Sequence, residues 1–143
     1  MMLEYSGSIF DSEAQTLVAP VNCVGVMGAG LAKTFSLRFP DMVAPYKSIC
    51  SRGFRPGELR LWKGEDKWVL LFPTKDHWKD PSRLEWINAG LLKFRERYSV
   101  AGITGIAFPM LGAGLGGLEK SDVMVRFNKY LGDLRDVRIS IYI

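Results

Sequence analysis

Apolar and polar positions along the chain switch repeatedly between a two-residue and a helical period. Leu3–Tyr5 reads as a short strand, and Gln15 to Val21 is mostly apolar, as expected of a strand buried on both faces. From Gly28 to Phe39 the period becomes helical, with Leu31, Phe35 and Phe39 on one side. Pro40-Asp41 opens a second helix whose apolar face is Met42, Tyr46 and Ile49, and Gly53 is placed to end it. Leu59–Trp62 and Lys67–Phe72 read as strands joined by a hairpin turn at Lys63-Gly64-Glu65-Asp66. Ser82-Arg83-Leu84-Glu85 has the form of a capping box. It predicts a helix bearing Leu84, Ile87, Leu91, Phe94 and Tyr98 at helical spacing. After Gly102, Ile103 to Phe108 reads as a buried strand. Ser121 to Leu131 reads as a helix with Val123, Phe127 and Leu131 inward and Gly132 as its stop, and Val137–Ile143 alternates as a last strand. About six strands and four helices in alternation predict one layered α/β domain over residues 1–143.

Composition narrows the class. With 143 residues there is room for one domain, and 48% apolar residues suffice for a core without staples. Two cysteines, Cys23 and Cys50, exclude a disulfide scaffold and are too few for a metal cluster. Their expected role is as small core residues with reduced thiols. The single histidine, His77, removes a zinc site and a Ser-His-Asp triad from consideration. No apolar run approaches the ~20 residues that span a bilayer, and Met1 to Ser6 has no signal-peptide pattern, so a cytoplasmic protein is expected. Nineteen Lys+Arg against fifteen Asp+Glu give a net charge of +4, which permits an anionic ligand without demanding one.

Candidate chemistry begins with two glycine loops, each between a strand and a helix. The first is Asn22-Cys23-Val24-Gly25-Val26-Met27-Gly28-Ala29-Gly30; the second is Leu111-Gly112-Ala113-Gly114-Leu115-Gly116-Gly117. Glycine brings backbone amides close to a ligand, and a helix N-terminus adds partial positive charge, so such loops can hold phosphate without a lysine. Two of them suit a ligand with more than one anionic segment, such as a nucleoside diphosphate sugar. Tight turns alone are the alternative. Gly112, Gly114 and Gly117 formally match the dinucleotide fingerprint, but the strand that follows, Val137–Ile143, carries no acid to hold a ribose. The Gly-Lys-Ser/Thr of a P-loop is absent, because Lys33-Thr34 follows Ala32.

Leu17 to Asn22 with Gly28 to Ala32, and Pro109 to Leu118, resemble the first and second ligand loops of macrodomains, the ADP-ribose-binding modules. Phe72 to Lys79 with Pro81-Ser82 resembles a segment of one branch. That branch holds the DarG-like antitoxins, which remove ADP-ribose from thymine in DNA, and the terminal ADP-ribose protein glycohydrolase. The resemblance implies a three-layer α/β/α fold with a central mixed sheet and ADP-ribose in a cleft between the loops. It implies that Asn22, Gly28, Ala29 and Gly30 surround the distal ribose. The loop of Gly112, Ala113, Gly114, Leu115, Gly116 and Gly117 would hold the diphosphate, with Ser8, Ile9, Leu31, Thr74 and Leu111 completing the ligand set. Lys75 would be catalytic with Asn22, either by attacking the ribose C1″ or by stabilising the leaving group electrostatically. No cofactor or metal is implied.

His77, Trp78 and Lys79, with Arg83 nearby, form an aromatic and basic cluster that could meet single-stranded DNA; packing of Trp78 against the helix start is the alternative. Trp62, Trp68 and Trp86 are expected in packing roles. Expected partners are ADP-ribose, ADP-ribosylated single-stranded DNA and a cognate ADP-ribosyltransferase toxin, on a monomer. Three positions depart from the family. Ala19 stands where a first loop asparagine is usual, Ser8 where an aspartate meets the adenine, and Gly116 where the protein glycohydrolase has a catalytic aspartate. The last favours the DarG-like reading, an ADP-ribosyl glycohydrolase acting on thymine. A non-catalytic ADP-ribose reader and a hydrolase of ADP-ribose esters on acidic side chains are the alternatives.

Overall fold

A computed structural model describes residues 2–143; Met1, part of the expected domain and of the N-terminal pattern, lies outside the described residues. The strands are β1 (Met2–Tyr5), β2 (Thr16–Val21), β3 (Arg60–Lys63), β4 (Trp68–Pro73), β5 (Gly105–Pro109) and β6 (Arg138–Tyr142). The helices are α1 (Gly30–Arg38), α2 (Pro40–Ser51), α3 (Leu84–Ala101) and α4 (Lys120–Leu131), with a 3-10 turn at Ile9–Asp11 that the pattern did not predict. The strands form one sheet in the order β1-β6-β5-β2-β4-β3. All neighbours are parallel except β3 and β4, whose antiparallel hairpin is closed by the Gly64 amide donating to Lys67.

Alternation along the strands makes the three layers. Leu17, Ala19 and Val21 of β2 face one side, where Phe35 of α1 and Met42 and Tyr46 of α2 cover them. Val18 faces the other side, against Leu91 and Phe94 of α3 and Val123 and Phe127 of α4. Phe94, Phe108 and Phe127 pack edge to face there. Gly90 of α3 lies against the Phe72 ring of β4, where a Cβ would lie 2.2 Å from it.

One expectation fails. Ser82 and Glu85 do not form a capping box: the N-cap of α3 is Arg83, with no side-chain cap bond. Ser82 is instead drawn under the second glycine loop, donating its amide to the Gly116 carbonyl at 3.0 Å. Its Oγ is buried with no hydrogen-bond partner among the described residues, while Glu85 pairs with Arg83 at 3.4 Å. Tertiary contact with the loop outcompetes the local cap. No helix among the described residues is long and apolar enough to cross a membrane.

Candidate functional site

Topology gathers the candidate residues. Strands β5, β2 and β4 are consecutive and parallel, so their C-terminal ends lie together at one edge. Asn22 follows β2, Thr74 and Lys75 follow β4, and the second glycine loop follows β5. A ligand crevice at such strand ends is the general rule for open parallel sheets. Backbone bonds extend the β2–β4 contact: the Thr74 amide donates to Val21 at 2.9 Å and the Cys23 amide to Asp76 at 3.0 Å.

The first loop is shaped by Asn22. Its Oδ1 accepts from the Val24 amide at 3.0 Å and the Val26 amide at 3.3 Å, and its Nδ2 donates to the Val26 carbonyl at 2.7 Å. The loop therefore wraps around one buried amide group. Ala29 is the N-cap of α1 without a side-chain cap bond, so no side chain competes for the first-turn amides from Gly30 onward.

The second loop leaves donors free. Its internal bonds run from Ala113 to Met110, Gly117 to Gly114 and Leu118 to Gly112. Among the described residues the amides of Gly112, Gly114, Leu115 and Gly116 have no protein acceptor. Successive free amides of this kind favour an anion. Gly112 has a φ of +73°, which glycine alone adopts without strain, and a Cβ there would meet Leu118 at 2.7 Å. A Cβ on Gly116 would lie 2.3 Å from Ser82 Oγ and 2.4 Å from the Gly112 carbonyl oxygen. The loop as folded has no space for an aspartate at this position.

Lys75 joins these parts. Its Nζ donates to the Leu115 carbonyl at 3.2 Å and the Trp78 carbonyl at 3.3 Å. The Leu115 side chain reaches back across the cleft, with its Cδ1 3.1 Å from where a Cβ on Gly30 would stand. Lys75, Trp78 and both loops thus meet at one place. Two directions around Nζ are spent on carbonyls and one remains, which holds a proton in the ammonium and the lone pair in the amine. His77 stacks near Trp78 at 5.5 Å and accepts the Lys79 amide at Nδ1, while the Lys79 ammonium lies 5.2 Å from the Trp78 ring. Trp78 is 49% exposed, so about half of the residue is open to solvent. Arg83 is not in that cluster's contacts: it lies over Trp86 and pairs with Glu85.

Other residues sit as follows. Ser8 caps the 3-10 turn, its Oγ accepting the Phe10 amide at 3.2 Å, and Ile9 is buried in the core beneath. Ala19 is fully buried among apolar side chains. Cys23 is a buried free thiol, pushed up to about 12 by burial first and by Asp76 and Cys50 next. Among the described residues no three His, Cys, Asp or Glu side chains cluster to hold a metal. A groove of about 450 Å³ lies between the β3 edge and the C-terminal half of α3, lined by Leu59, Leu61, Leu70, Phe94 and Tyr98, and includes none of the candidate residues. Sequence reasoning missed Tyr46, whose hydroxyl reaches Asn22, because its helical spacing marks it only as core.

Comparison with known proteins places the family and the fold. A Macro domain model matches residues 18–127, and the chain belongs to that family. Within it, the chain is 38% identical to the DNA ADP-ribosyl glycohydrolase of Mycobacterium tuberculosis, over 99% of this chain and 42% of that protein. It superposes on the macrodomain of M. tuberculosis DarG with a TM-score of 0.94 at 39% identity, covering 99% of this chain and 97% of that one. It superposes on Thermosipho africanus DarTG in complex with ADP-ribose with a TM-score of 0.90 at 39% identity, covering 98% of this chain and 41% of that one. The chain thus spans about two fifths of the length of the DNA ADP-ribosyl glycohydrolases it matches.

Proposed function

We propose that residues 1–143 form one ADP-ribose-binding unit. We propose that it hydrolyses the N-glycosidic bond between ADP-ribose and thymine in single-stranded DNA. The observation that carries this is the placement of Lys75 Nζ, bonded to the second glycine loop where that loop meets the first. The family, and the kinship with DNA ADP-ribosyl glycohydrolases, support it.

The free amides of Gly112, Gly114, Leu115 and Gly116 hold the diphosphate, with Leu111 and Ala113 shaping the same loop and the α1 N-terminus adding positive potential. Gly28, Ala29, Gly30 and Leu31 enclose the distal ribose, Thr74 lines the approach, and Ser8 and Ile9 meet the adenine end. Asn22 positions the ribose. Lys75 acts at C1″ through its free direction. The C1″–N bond breaks, the nitrogen of thymine takes a proton, and C1″ takes the hydroxyl of water. Lys75 serves either as transient nucleophile or as the charge that stabilises the departing base. His77, Trp78 and Lys79 receive the flanking nucleotides, the indole by stacking and the ammonium by meeting phosphate. Since no aspartate fits at Gly116, the chemistry draws on the lysine without a carboxylate from this loop. The unit acts as a monomer in the cytoplasm, opposing an ADP-ribosyltransferase.

Two substrates test this in parallel: a single-stranded oligonucleotide with one ADP-ribosylated thymine, and a peptide with ADP-ribose esterified to glutamate. Release of ADP-ribose from the oligonucleotide with recovery of unmodified DNA is expected. Release from the ester alone would place the activity on proteins, and tight binding with no release from either would make the chain a reader.

A further inference from the structure

Tyr46 lies in the middle of α2, fully buried, with its ring in the layer between α2 and the sheet. A tyrosine at a core position needs a partner for its hydroxyl. That partner is Asn22 across the layer: the Tyr46 hydroxyl is 2.8 Å from the Asn22 carbonyl oxygen and 2.9 Å from its Oδ1. Burial pushes the phenol well above its ordinary range, so the hydroxyl keeps its proton and acts as a donor.

The consequence is orientation of the Asn22 side chain. Its Oδ1 accepts from the Val24 and Val26 amides and shares the single Tyr46 hydroxyl proton with the Asn22 backbone carbonyl, while its Nδ2 faces the Val26 carbonyl. Rotating the amide by half a turn would set an NH2 group against two amide N–H groups and set oxygen against oxygen at Val26. A buried mismatch of that kind costs far more than thermal energy. Only one N–H of Nδ2 is then left without a protein acceptor, so Asn22 meets a ligand as a donor and never as an acceptor.

We propose that Tyr46 is a positioning residue for the reaction. From behind the site, it locks the Asn22 amide so that its free N–H is held ready for a ribose hydroxyl. This rests on the role given to Asn22 under the proposed function. The two backbone donors alone come from the loop itself and move with it. Tyr46 is anchored in a helix packed on the sheet, so it ties the amide to the rigid core.

The test is a double-mutant cycle with Tyr46→Phe and Asn22→Ala on the ADP-ribosylated oligonucleotide. Tyr46→Phe keeps the ring, and a melting temperature within a few degrees of the native protein shows that the fold is intact. A fall in kcat of about tenfold, the size of one lost hydrogen bond, is expected, with a smaller change in affinity for free ADP-ribose. The same substitution in the Asn22→Ala background should have no further effect on kcat, since there is no amide left to orient. Equal losses in both backgrounds would reduce Tyr46 to a packing residue and overturn the proposal, as would full activity of Tyr46→Phe beside an impaired Asn22→Ala. A fully active Asn22→Ala variant would instead remove the role given to Asn22. NMR supplies a readout independent of activity: the Asn22 side-chain amide should show one rigid pair of N–H resonances in the native protein and a second, exchanging set in Tyr46→Phe. An unchanged single set in the variant would also overturn the proposal.

Discussion

Trp78 and Gly116 are the single residues on which the proposed division between recognition and chemistry can be tested. The Trp78 indole is half exposed while its carbonyl is bound to Lys75, so the side chain is free to stack while the backbone holds the site. Trp78→Ala should weaken binding of a modified oligonucleotide by about tenfold to a hundredfold, the value of roughly one stacked base, and leave free ADP-ribose affinity unchanged. Fluorescence titration with both ligands checks this. At Gly116 even a methyl group would press on the Gly112 carbonyl, which is backbone and cannot swing away. Gly116→Ala should lower ADP-ribose affinity and cost about 1–3 kcal/mol of stability, read by calorimetric titration and urea unfolding. Legibility at this scale was uneven. The glycine loops stood out through their spacing, whereas the roles of Asn22 and Lys75 came only from the resemblance. Ser82 was misread, because Ser-x-x-Glu before an apolar stripe looks the same whether the serine caps a helix or lies under a loop some thirty residues on.

Among the elements, α3 carries the plainest energetic lesson. Gly90 interrupts a good helical sequence, and on propensity alone Gly90→Ala should stabilise by up to about 1 kcal/mol. The Phe72 ring decides otherwise, since a Cβ would stand 2.2 Å from it. Overpacking outweighs propensity, so Gly90→Ala should destabilise by a net ~1–2 kcal/mol, and Phe72→Leu added to it should recover part of the loss. Denaturant midpoints of the two variants measure this. Element types and most boundaries were readable from periodicity: the α3 stripe from Leu84 to Tyr98 and the Lys63–Asp66 hairpin both appear as expected. The expected helix from Gly28 begins at Gly30, because Gly28 and Ala29 remain in the first glycine loop. A contact such as Gly90 on Phe72 leaves no trace in local pattern, because it depends on which strand α3 crosses.

For the whole molecule, the mostly apolar run from Gln15 to Val21 predicted a strand covered on both faces, and the two core clusters on either side of the sheet meet that expectation. Strand order was not legible. Nothing in the local pattern says that β2 lies between β4 and β5, although that neighbourhood is what brings Asn22, Lys75 and the second loop together. The core also sets an alkaline limit on stability. Burial raises Cys23 from 9.0 to about 12 and raises Tyr46 as well. Below about pH 9 both groups are protonated whether the chain is folded or not, and they add no pH dependence. Above it the unfolded chain releases these protons first, so stability falls as pH rises towards 12. Urea midpoints should therefore drop between pH 9 and 11, and Cys23→Ala should flatten part of that slope.

The central claim is that Lys75 performs the chemistry in a cleft whose ligand is held by the loops. Single-turnover cleavage of an ADP-ribosylated thymine oligonucleotide by the native chain and by Lys75→Ala, each also titrated with free ADP-ribose, tests it most directly. The account predicts that the variant binds ADP-ribose within a few-fold of the native chain and releases none from DNA. Cleavage by Lys75→Ala at the native rate would contradict it.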